Sequence, residues 1–154
     1  MRVILGIFIL CLLMPLSLLA KPILTVVCEP PKGPRIDYGS EAFTESPFKL
    51  EKTEDSFTGV NPTFIFDDQD SSNATMLWGT TRGLEETKAQ QVPIIMRTKD
   101  QISLIEVDGN GVWVHSLYPQ LGFGIFTRQG HWTGTNHAKG MIFYAKCNFA
   151  VGAY

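Results

Sequence analysis

The chain has 154 residues, with 13 basic and 15 acidic side chains, 44% hydrophobic and 18% charged residues. That length holds one ordinary domain, with or without a targeting segment, and leaves no room for two. The hydrophobic share excludes a disordered polyelectrolyte, and a net charge of −2 lacks the basic excess of a dedicated nucleic-acid binder.

Met1-Arg2 is a short positive start, and Val3 to Leu19 follows as 17 residues without a charge, broken only by Pro15 and Ser17. Ala20 offers a small residue at the end of that run, and Lys21 begins ordinary polar sequence. This layout predicts a signal peptide over residues 1–20 and a single β domain over 21–154. A membrane-spanning helix wants about 20 apolar residues, so an uncleaved anchor is the lesser alternative. No second long apolar run occurs, so the mature domain is not expected to span a membrane. Removing Arg2 with the leader leaves 12 basic and 15 acidic groups, a net −3. The expected location is periplasmic or extracellular.

The mature chain reads as short strands between turns. Ile23 to Cys28 is β-branched and runs into a Pro-Pro-Lys-Gly-Pro block, which predicts a strand stopped by a loop. Tyr38 to Ser46 is polar and irregular, and Pro47 to Lys52 alternates weakly. Thr63 to Asp67 sets Phe64 and Phe66 on one face, ahead of an acidic turn. Ala74 to Trp78 is short and apolar. Gly83 to Gln91 fits two helical turns or a polar edge strand equally. Val92 to Arg97 and Gln101 to Val107 read as strands. A hairpin follows, with the turn Asp108-Gly109-Asn110-Gly111 and the strand Val112 to Tyr118. Gly122 to Arg128 and Met141 to Phe149 complete the set.

Cys11 departs with the leader, so Cys28 and Cys147 remain. An even pair in an exported protein predicts a disulfide. On the last strand Met141, Phe143, Ala145, Cys147 and Phe149 share a face, and on the first Cys28 shares one with Leu24 and Val26. Both cysteines fall on apolar faces, so the bond should hold the first and last strands side by side. The predicted architecture is an all-β antiparallel meander barrel of eight or nine strands, lipocalin-like, with a β-sandwich as the alternative.

Chemistry is sparse. His115, His131 and His137 are candidate metal ligands, but their spacings of 16 and 6 match no metal motif, and satisfied or exposed histidines are expected instead. Asp67, Asp68 and Asp70 invite a calcium reading, yet Asn73 and Gly79 stand where a helix-loop-helix calcium loop needs Gly and Glu. A local turn is the expectation there. Glu106, among Ile102, Leu104 and Ile105, is a candidate buried carboxylate, although a solvent-facing position is favoured. Trp113, sharing a face with His115 and Leu117, is predicted to be core. Asn73-Ala74-Thr75 is a glycosylation sequon. No Gly-x-Ser-x-Gly occurs, no free cysteine remains once the bond forms, and no cofactor is predicted.

The stretches LTVVCEPPKGPRIDYG, TFIFD and QISLIEVDGNGVWVHSLYP, with a closing strand that carries Cys147, resemble a group of small exported bacterial β proteins. The resemblance implies a lipocalin-like barrel and brings no activity with it. More distantly, the chain is similar to periplasmic lysozyme inhibitors, small disulfide-bridged barrels whose inhibitory loop has no counterpart placed in this sequence. Two functions follow. One is a binding module for a protein partner or a small apolar ligand; the other is a metal-assisted or acid-base enzyme built on His115, His131, His137 or Glu106.

Overall fold

The computed structural model describes residues 22–38, 50–67, 70–80, 89–131 and 138–153. They form ten strands: β1 (Pro22–Cys28), β2 (Lys32–Tyr38), β3 (Leu50–Ser56), β4 (Val60–Asp67), β5 (Asn73–Thr80), β6 (Ala89–Arg97), β7 (Ile102–Asp108), β8 (Gly111–Tyr118), β9 (Phe123–His131) and β10 (Ala138–Ala153). From β4 to β10 each strand pairs with the next, all antiparallel. β1 pairs with β4 on one edge and with β10 on the other, which closes an eight-stranded barrel. The expected meander barrel is therefore the fold, with β2 and β3 added beyond the wall.

The sequence reading stopped the first strand at the proline block and missed β2. Pro30, Pro31 and Pro34 lack donors, but they mark a bend rather than an end. β1 runs beside residues 147–153 of β10, and after the bend β2 runs beside residues 138–144 of the same strand. Gly33 makes this approach possible: a Cβ there would lie 2.3 Å from the carbonyl oxygen of Ile142. β3 and β4 return along the same path, paired with β2 and β1 respectively. Their own bend lies opposite the first, where the Phe57 N–H donates to the Pro31 carbonyl at 2.9 Å. The four strands are one long hairpin, bent twice. Its outer strand β3 exposes Lys52 and Glu54, charges that discourage pairing with another chain.

Of the ambiguous Gly83 to Gln91 segment, Ala89 to Gln91 belong to β6; the remainder lies outside the described residues. β10 is longer than expected because each half has its own partner, β2 and then β1. A 3-10 turn over Pro119–Leu121 ends at Gly122, whose φ of 61° is the left-handed value that favours glycine. The Asp108–Gly111 turn forms as predicted, with the Asn110 N–H donating to Asp108 Oδ1 at 2.7 Å.

Inward alternation fills the barrel. Val26, Phe64, Phe66, Met76, Leu104, Leu117, Phe126 and Phe143 are buried, each worth roughly 1.5–3 kcal/mol relative to exposure. Trp113 joins them at 5% exposure, as predicted. The Phe57 ring, arriving from the bend between β3 and β4, meets Phe143 edge-on at 5.2 Å and lies 5.7–5.8 Å from Trp113 and Trp78. Cys28 and Cys147 face each other across the β1–β10 ladder and form the predicted disulfide, with Cα atoms 4.0 Å apart. The Cys147 N–H turns to Gly122 O on the opposite side, so the cysteines occupy a close, non-hydrogen-bonded pair. Gly124 leaves them room, since a Cβ there would come within 3.0 Å of Cys147 Sγ.

Candidate functional site

Inside the barrel one polar chain interrupts the apolar packing. β7 and β8 place Leu104 opposite His115 and Glu106 opposite Trp113, with Glu106 and His115 projecting inward on neighbouring strands. His115 Nε2 lies 3.1 Å from Glu106 Oε2, and the Gln90 amide donates to Glu106 Oε1 at 2.6 Å. The Glu106 side chain keeps only 13% exposure, which corrects the favoured solvent-facing reading. The alternation Ile102, Leu104, Glu106 carried the inward direction; the charge argued against it.

His115 has no exposed surface. Its ring lies in an aromatic box: Trp113 parallel at 6.0 Å, Phe64 at 5.5 Å, Phe126 at 5.8 Å and Trp78 at 6.0 Å. With Nε2 donating to the carboxylate, Nδ1 is left buried without a hydrogen-bond partner. A reactant therefore has no path to His115 in this arrangement, and the pair reads as a structural polar link.

The other candidates separate. His131 is exposed at the end of β9 while His115 is buried inside the barrel, so these two are not brought together, and His137 lies outside the described residues. Among the described residues no group of three His, Cys, Asp or Glu side chains could hold a metal ion. Asp68 lies outside the described residues. Asp70 accepts the Ser72 and Asn73 N–H groups at 2.8 and 3.0 Å and the Asn73 amide at 3.2 Å, a local turn network that holds its carboxyl below the ordinary range. No helix among the described residues is long and apolar enough to cross a membrane.

Two features escaped sequence reasoning. The first is a charged rim: Arg35 contacts Asp37 at 2.5 Å and Asp55 at 3.0 Å, and Arg128 reaches Asp108 at 3.2 Å while its guanidinium lies 5.2 Å from the Trp113 ring centre. The second is a groove of about 280 Å³ on the outer wall across β2, β10 and β9, lined among others by Pro34, Ile36, Thr127, Gln129, Gly140 and Ile142. Ile36 and Ile142 are 44% and 55% exposed, and Tyr144, also outward on β10, is 45% exposed. Gly140, directly opposite Ile36, forms the floor, with no atom within 4 Å of where its Cβ would stand. The exposed parity of β10 (Ile142, Tyr144) was visible in the sequence. Its neighbour β2 was not, and the groove exists only between the two.

Comparison with family models, with curated proteins and with solved structures finds no match to this chain.

Proposed function

We propose that the protein is an exported binding module that engages a partner protein on the outer wall formed by β2, β10 and β9. The observation that supports this reading most directly is the apolar groove, with Ile36 and Ile142 exposed on either side of Gly140. Isolated surface hydrophobics are ordinary, but a contiguous concave apolar strip costs solvation until something covers it. The inward faces of the same strands are occupied by packed rings, which favours a partner outside over a small apolar ligand inside. The uncharged run Val3 to Leu19 behind Arg2 and the Cys28–Cys147 bond support export.

A photo-activated cross-linker at Ile142, in cells making the full chain, tests the surface. The expected result is a discrete adduct that disappears with Ile36→Lys and is absent with the cross-linker at Gln91, an exposed residue of β6 away from the groove. Identical adducts from both positions would remove the support for this surface. Intact mass of the released protein tests removal of the leader after Ala20, and a species retaining residues 1–19 would make the protein membrane-anchored instead.

A further inference from the structure

On the outer face of β10, Gly140, Ile142 and Tyr144 stand in line. We propose that the partner seated on the outer wall is a second copy of this chain, packed face to face about a two-fold axis at Ile142. The inference rests on the outer-wall reading above and names its partner.

The strand carries a notch and a knob at equal distances from one residue. Gly140 leaves open space, with no atom within 4 Å of where its Cβ would stand. Tyr144 projects outward at 45% exposure, its ring stacked on Phe123 at 6.3 Å and so held in place. Each is two residues from Ile142, and a rise of ~3.3 Å per residue sets them about 7 Å to either side of it. A two-fold axis lying between the two walls, across the strands, lays β10 antiparallel over β10 of the other copy. Ile142 then meets Ile142, and each Tyr144 enters the space above the Gly140 of its mate. An isologous contact needs a surface complementary to itself, and this strand supplies both halves.

The neighbouring strands keep the same relation. Gln129 and Ile36 flank Gly140, and Ile125 and Lys32 flank Tyr144. The axis therefore sets Gln129 over Ile125 and Ile36 over Lys32. Lys32 is the single charge in the three rows from β8 to β2, and it stands at their corner. There its ammonium reaches water while its methylenes cover the isoleucine. Four strands ~4.8 Å apart and three rows ~6.7 Å apart give each copy a face of roughly 20 by 20 Å. Two such faces bury about 800 Å² in projection, and more in accessible area because side chains stand out from the sheet. That is the size of weak, reversible associations.

Sedimentation velocity of the purified, disulfide-intact protein from about 1 μM to 1 mM should show a monomer–dimer equilibrium. Gly140→Tyr fills the notch at a position where its Cβ meets nothing in its own chain, and Tyr144→Ala removes the knob. Each should weaken self-association about tenfold or more. An equimolar mixture of the two variants should recover it to within about threefold, because the new tyrosine faces the alanine and the retained tyrosine faces the retained glycine. The photo-activated cross-linker at Ile142 should give an adduct of twice the chain mass, and this mass decides if either variant fails to fold. A protein monomeric at every concentration overturns the proposal. An Ile142 adduct of another mass then leaves the outer-wall reading standing with a different partner, and the absence of any adduct removes both. A dimer that neither variant weakens, or a mixture that fails to recover it, overturns the proposal as well.

Discussion

Glu106→Leu removes the acceptor that the buried His115 and the Gln90 amide share. A hydrogen bond to a charged group is worth about 1.5–3 kcal/mol, and a buried donor left unpaired costs ~1–3 kcal/mol. Gln90 is half-buried and can turn to water, so most of the penalty falls on His115, which has no exposed surface and already carries one unpartnered ring nitrogen. The expected loss is about 2–4 kcal/mol. His115→Phe alone leaves the carboxylate near the barrel end with Gln90 and should cost ~1–3 kcal/mol. In the double variant no polar atom of the pair remains unpaired, and a Phe ring takes its place among Phe64, Trp78, Trp113 and Phe126. That combination should cost less than Glu106→Leu alone, giving a coupling energy of about 1.5–3 kcal/mol. Urea unfolding with the disulfide intact, followed by tryptophan fluorescence, measures all four species. With a slope of ~1.5 kcal/mol/M, a 3 kcal/mol loss lowers the midpoint by about 2 M. A loss below ~0.5 kcal/mol for Glu106→Leu, or additivity of the singles within about 0.5 kcal/mol, would refute the reasoning.

Reduction of Cys28–Cys147 should cost about 2–5 kcal/mol, measured as the difference between urea midpoints with and without reductant; an unchanged midpoint would show that the bond constrains nothing. Gly33→Ala should lose ~1–3 kcal/mol, because the new methyl meets the Ile142 carbonyl, whereas Gly109→Ala has open space and should be neutral; equal effects in thermal melts would contradict the close approach of β2 to β10. The Arg35 hydrogen bond, helped by the Ser56 N–H, holds the Asp55 carboxyl below the ordinary range. A carboxylate with a depressed folded pKa adds stability above the unfolded value of about 3.9 that is lost as pH falls through the folded value. Wild type and Asp55→Asn should therefore differ most near neutral pH and converge in acid; a gap that stays constant in urea titrations down to about pH 2.5 would contradict the pairing.

The barrel and its seam were legible because they rest on period-two alternation. Val26 and Cys28 on β1, and Met141, Phe143, Ala145 and Cys147 on β10, state which face turns inward, and the cysteine pair states which strands meet. Trp113 followed from the same periodicity. β2 was illegible because its signal is local composition, and Pro-Pro-Lys-Gly-Pro reads as a loop unless a neighbour's carbonyl at Gly33 is known. Glu106 was misjudged for a related reason. Its inward direction follows from alternation, but its tolerance there depends on Gln90, 16 residues away, and on His115, nine residues away across a hairpin. The outer groove exists only where β2 meets β10, about 100 residues later in the chain, and no local pattern records that meeting.

The closing seam also sets an order of events for the growing chain. β1 leaves the ribosome among the first parts of the domain, yet its barrel neighbours are β4, roughly 40 residues on, and β10, at the far end. Cys28 precedes Cys147 by 119 residues. Ladders from β4 to β10 join consecutive strands and can form as each hairpin is completed, whereas the first strand must wait with one edge open. Loop closure over such a span is costly in chain entropy and slow. The 16 residues of β10, Ala138–Ala153, supply the partner for β9, for β2 and for β1 at once. Synthesis of this single strand is therefore the step at which an open meander becomes a closed wall, and a chain truncated before it would present three unpaired strand edges to its neighbours.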